Sequence, residues 1–93
     1  SYVFKGGRMD IDAIGSVMEQ MIEVHGNDML RYKGILAIAN NDERLIIQGV
    51  YKVVGFDYGD AWRSDESIES TLVVIGRNLP FKELEQQFLS AEA

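Results

Sequence analysis

Any chemistry done by this chain has to come from a short inventory of side chains. His25 is the only imidazole. It follows Met21 and Ile22 at helical spacing beside an apolar stripe. It is therefore either a half-buried side chain satisfying a helix C-terminus or the one nitrogen donor of a metal site that lacks cysteine and clustered carboxylates. Asp57, Asp60, Asp65 and Glu66 offer hard oxygen donors, but they do not follow the D-x-D-x-D-G order of a calcium loop, and a solvated loop accounts for them. A general acid and base must converge in a dry cleft, whereas Glu19 with Glu23 and Glu83 with Glu85 occupy exposed helical positions. Ser16, Ser64, Ser67, Ser70 and Ser90 have only His25 as a conceivable base, and no nucleophile motif surrounds them. Gly76-Arg77-Asn78 precede a helix, where amides can hold an anion or simply form a turn, and the G-x-x-x-x-G-K-[ST] loop is missing. No catalytic or cofactor-binding residue is expected, and no metal ligand beyond the lone His25.

What remains is binding. Arg31 and Lys33 project from one face of a strand next to Gly34, either as an exposed pair or as contacts to an acidic partner surface. Trp62 lies in a loop, where an indole either caps a core or anchors an interface. With Gln48, these residues are the candidate interaction set: Arg31, Lys33, Gln48 and Trp62.

The elements that must position them follow from pattern. Val3-Phe4 before Gly6-Gly7 predicts a short first strand. Asp10 is a natural N-cap, and Ile11, Ile14, Met18, Met21 and Ile22 repeat at helical spacing; Gly26-Asn27 would end that helix in a left-handed residue. Residues 30–39 predict a strand, Asn40 to Glu43 a polar hairpin loop, and Arg44 to about Phe56 one long strand with a bulge at Gly49. Residues 57–67 have loop composition and are expected to be the most mobile part. Thr71 to Ile75, bulky at consecutive positions, predict a central strand covered on both faces. Pro80 then opens a helix whose apolar stripe is Phe81, Leu84, Phe88 and Ala91. Two amphipathic helices and a mainly antiparallel sheet bury each other most economically as a two-layer α+β sandwich, both helices on one face, in the order β-α-β-β-β-α. Ile35, Ile46, Val50 and Val54 cannot all point at the helices, so apolar surface is left for a partner.

Three motifs carry a wider resemblance: Arg31-Tyr32-Lys33-Gly34, Gln48-Gly49-Val50, and Leu72-Val73-Val74-Ile75-Gly76-Arg77-Asn78-Leu79, with Trp62 between the second and third and a short helix after. In this order and spacing they resemble the C-terminal domain of the CobW family of P-loop GTPases. Pro80, where members more often have a polar residue, and Ala37, where many carry an aromatic, are departures. The resemblance implies that residues 1–93 are one domain of a longer GTPase chain. That parent would handle GTP, Mg and Zn or Co as a metallochaperone, with the nucleotide loop and cysteine motif in the other domain. The domain here would be a non-catalytic accessory that docks on the GTPase domain or faces a metal-receiving protein. The reading from another class is a small α+β ligand-sensing or oligomerisation module working through the uncovered sheet face.

Composition bounds these readings. Ninety-three residues allow one modest core. Fifteen acidic against nine basic residues give a net charge of −6, which disfavours a phosphate-backbone partner. No apolar run approaches the ~20 residues of a membrane span, so no membrane partner is expected. Zero cysteines exclude thiolate metal sites and fit a cytoplasmic setting.

Overall fold

The computed structural model describes residues 1–93. Strand β1 (Tyr2–Gly6) is followed by helix α1 (Ile11–His25), strands β2 (Met29–Leu36), β3 (Glu43–Val50), β4 (Val53–Ala61) and β5 (Ser70–Gly76), and helix α2 (Phe81–Leu89). The strands form one antiparallel sheet in the order β1-β5-β2-β3-β4. Both helices cover one face, giving the α+β sandwich that the pattern predicts. The succession β-α-β-β-β-α holds with one strand interleaved.

That extra strand arises because residues 44–56 are not one strand but a hairpin. Val50 pairs with Val53 across a two-residue turn whose first central residue, Tyr51, has φ 52°. Positive φ at that position alone suits a type II′ turn, where glycine usually sits. A tyrosine there stays left-handed because its backbone is tied down at both ends. Its N–H donates to the Met29 carbonyl at 2.9 Å, and its carbonyl accepts from the Tyr32 hydroxyl at 2.9 Å. β4 consequently runs through Asp57 to Ala61, a stretch whose loop composition predicts no strand.

Helix α1 starts as its residues dictate. Asp10 is extended and its carboxylate accepts from the Ala13 amide at 2.9 Å, while Ile14, Met18, Met21 and Ile22 are buried. Its end differs from expectation. Gly26 is right-handed (φ −55°) and leads into a 3₁₀ turn, Gly26–Asp28. Glycine is suited there by space instead of by torsion, since a Cβ would lie 2.6 Å from Lys52 Cγ of the β3–β4 turn. The same holds for Gly49, where β2 and β3 stay in register without a bulge and a Cβ would land within 3.0 Å of the Tyr32 ring. At Gly34 it would stand 2.5 Å from the Thr71 carbonyl oxygen. The glycines of the R-x-K-G and Q-G-V motifs thus admit neighbouring atoms, and the register breaks fall elsewhere, between Met29 and Arg31 and between Glu43 and Leu45.

Alternation along the strands builds the core. Phe4, Tyr32, Leu36, Leu45, Ile47, Leu72 and Val74 face the helices and are buried with Met18, Met21, Leu84 and Phe88. Each such large apolar side chain contributes roughly 1.5–3 kcal/mol. Phe81 stacks on Phe4 at 5.2 Å and on Tyr2 at 5.9 Å, fastening α2 to β1. Fully buried Ser70 accepts from the Ala37 amide and donates to the Gly7 carbonyl, both at 2.9 Å, which ties β5 to the chain on either side. No helix is long and apolar enough to cross a membrane.

Candidate functional site

No helix covers the opposite face of the sheet. β5 does lie inside the sheet, flanked by β1 and β2, but it is covered on one side only. Leu72 and Val74 are buried against the helices, whereas Ile75 on the open side is 49% exposed. Expecting two covered faces from consecutive bulky residues fails because the open side carries Thr71, Val73 and Ile75 without a second layer. Cross-strand register sets the rows of this face. Val3, Val73, Lys33, Gln48 and Gly55 form one; Lys5, Thr71, Ile35, Ile46 and Asp57 form the next.

All four candidate interaction residues fall on this face. Arg31, Lys33 and Gln48 line a groove of about 610 Å³ whose apolar lining includes Val50, Val53, Val73 and Ile75. Arg31 and Lys33 are exposed and neither makes an ion pair. Beside it lies a second hollow of about 510 Å³, where Lys33 and Gln48 recur with Trp62, Arg44, Glu66 and Glu69. The two share Lys33, Gln48 and Val73 and make one surface.

Trp62 belongs to a clasp that sequence reading did not anticipate. The Arg44 guanidinium lies 4.5 Å from the indole centroid, within cation–π range. Its Nη2 donates to Glu66 Oε1 at 2.6 Å, with side chains 18% and 23% exposed. Glu66 also accepts from the Arg63 amide at 2.8 Å, and the Trp62 amide donates to the Asp42 carbonyl at 2.9 Å. The indole Nε1 is buried without a hydrogen-bond partner. The Arg44 hydrogen bond, followed by the Arg63 amide, holds the Glu66 carboxyl below its ordinary range, and Glu66 raises Arg44 in turn. Residues 62–66 are therefore pinned over the sheet at several points. The signal for this lay in Arg44 pointing to the open face at even spacing from Ile46 and Gln48, opposite a loop rich in acids.

The remaining candidates do not assemble. His25 closes α1, half-buried. No group of three or more His, Cys, Asp or Glu side chains comes together in the chain. Of the acidic set, Glu66 is engaged by Arg44 and Asp65 lies 3.3 Å from Arg63, while Asp57 is exposed on β4. At Gly76-Arg77-Asn78 the Arg77 amide donates to the Asp28 carbonyl at 3.3 Å and Asn78 takes φ 56°, which makes the tripeptide a structural turn.

Comparison with known proteins places this geometry. The family described as cobalamin synthesis protein cobW C-terminal domain matches residues 1–92. The zinc chaperone YjiA of Escherichia coli is 38% identical over 80 residues, covering 86% of this chain and 25% of that protein. The zinc chaperone CobW of Pseudomonas aeruginosa is 34% identical over 83 residues, covering 89% of this chain and 20% of that protein. The chain thus spans a quarter or less of the relatives it matches. Among solved structures, a zinc-bound triple mutant of the YjiA GTPase superposes with a TM-score of 0.91 at 34% identity, over 98% of this chain and 29% of that one. Zinc-bound YjiA GTPase from E. coli gives 0.89 at 28%, with the same coverage. Residues 1–92, from the first strand to the end of the last helix, match as one unit, and the chain belongs to the family of cobW C-terminal domains.

Proposed function

We propose that residues 1–93 form the C-terminal accessory domain of a longer CobW-like GTPase that delivers zinc or a related metal in the cytoplasm. The domain does no catalysis itself. Its open sheet face docks on the GTPase domain of the same chain, or presents a surface to the metal-receiving protein. GTP, Mg and the cargo metal are then handled by the other domain, since no P-loop or clustered ligand set lies within these residues.

The observation that carries this reading is the convergence of Arg31, Lys33, Gln48 and Trp62 on one uncovered, grooved face, with half-exposed apolar side chains around them. Interfaces between domains of one chain bury roughly 600–1,500 Å² and are polar enough to open and close, so a bound nucleotide favouring one arrangement can shift them. A photoreactive amino acid in place of Lys33 in the full-length protein tests it. Cross-linking to the GTPase domain whose yield changes between GDP and a non-hydrolysable GTP analogue is expected. Cross-links found only between copies of the chain would instead favour the oligomerisation module.

A further inference from the structure

We propose that the groove between β2, β3 and the β3–β4 turn is a receptor for an acidic, apolar-anchored protein segment, one that sets two carboxylates over Arg31 and Lys33. This rests on the open face being a docking surface and names what docks there. The two cations stand at alternate positions of β2, about 6.6–6.8 Å apart along the strand. Carboxylates two residues apart on an extended segment have the same rise, and those one helical turn apart at i, i+4 rise about 6.0 Å. Either form can engage both cations at once.

The charge distribution selects this partner. In a chain of net charge −6, this groove contains two cations and no acid. Arg44 and Arg63, by contrast, are already engaged by Glu66 and Asp65. Gln48, directly across from Lys33, supplies an amide for the partner's backbone or side chain. Val53, 76% exposed, and Ile75 flank the cations with apolar surface that only an occupant can cover. The neighbouring hollow carries Glu66 and Glu69, and Asp57 lies in the row beyond. An extended polyanion crossing the face would meet these acids, so nucleic acid is disfavoured and a short protein segment, acidic at one end, fits.

The test is selection from a random twelve-residue peptide library displayed on phage, panned on the 93-residue chain. The binders are then titrated against the Arg31→Glu, Lys33→Glu double variant and against Lys5→Glu, a control on the same face outside the groove. Peptides carrying an acidic pair beside an apolar residue, binding at least tenfold more weakly to the double variant and unchanged with Lys5→Glu, are expected. Circular dichroism melts of the variants establish that they remain folded. No enrichment, peptides lacking acids, or indifference to charge reversal would overturn the proposal, as would a twelve-nucleotide single strand binding as tightly as the peptides. If the acidic peptides bind as described but the separately produced GTPase domain fails to displace them, the groove assignment stands and the GTPase domain is excluded as its occupant.

Discussion

Replacing Gly49 with alanine tests the packing beneath the groove. The added Cβ falls within 3.0 Å of Cζ, Oη and Cε2 of Tyr32. That ring cannot step aside cheaply, being 3% exposed and held by its hydroxyl to the Tyr51 carbonyl at 2.9 Å. Overpacking of a core typically costs about 1–3 kcal/mol, and losing the hydroxyl bond adds about 1. Relief of glycine's entropy in a strand returns about 0.5–1 kcal/mol, leaving a net loss of roughly 1–3 kcal/mol. For a domain of this size each kcal/mol lowers Tm by about 4–8 °C, so a fall of roughly 5–20 °C is expected in a thermal melt. The decisive control is a cycle with Tyr32→Leu, which removes the ring edge. In that background Gly49→Ala should be neutral or slightly stabilising, a coupling of about 2 kcal/mol. A Gly49→Ala variant within 0.5 kcal/mol of the parent in both backgrounds would refute the close-approach account of this glycine.

Other consequences are smaller but equally measurable. Ser70→Ala strands the Ala37 amide in a fully buried site and should cost about 1–3 kcal/mol in urea titration, whereas no loss would mean the belt through Ser70 is dispensable. Arg31→Glu with Lys33→Glu should leave stability within about 0.5 kcal/mol, because both are exposed without ion-pair partners; unfolding would make them structural. Glu66 has a depressed folded pKa, so its support of the Trp62 clasp is present above the ordinary carboxylate value and is lost as pH falls through the lower folded value. Fluorescence of Trp62, the only tryptophan, should shift to the red in that acid window, and Glu66→Gln should show the shifted spectrum at neutral pH with no transition below.

Much of this architecture is legible in the residues because it rests on strong local signals. Asp10 ahead of a three-and-four repeat specifies α1, and even spacing of Leu45 with Ile47, and of Leu72 with Val74, selects the buried side of the sheet. The hairpin at Tyr51-Lys52 escapes detection because β-branched residues continue on both sides and its left-handed residue is tyrosine, held there by partners on β2 and at its start. The glycines mislead for a related reason. Gly26 and Gly49 look like torsional devices, yet their role is to leave room for Lys52 and Tyr32, which sit 26 and 17 positions away in sequence. The interaction set is visible as single residues, but its convergence requires the order β5-β2-β3-β4. The Arg44 clasp depends on a loop returning over the sheet, which no local pattern encodes.

The proposed role of the open face is to dock in a nucleotide-dependent way. The direct measurement is calorimetric titration of residues 1–93 into the separately produced GTPase domain of the proposed longer chain, once with GDP and once with a non-hydrolysable GTP analogue. The parent sequence is compared with the Arg31→Glu, Lys33→Glu variant. The affinity is expected to differ between the two nucleotides and to fall at least tenfold, about 1.4 kcal/mol, on charge reversal. Absence of binding in both states, or equal affinity that ignores both the nucleotide and the reversed charges, would contradict it.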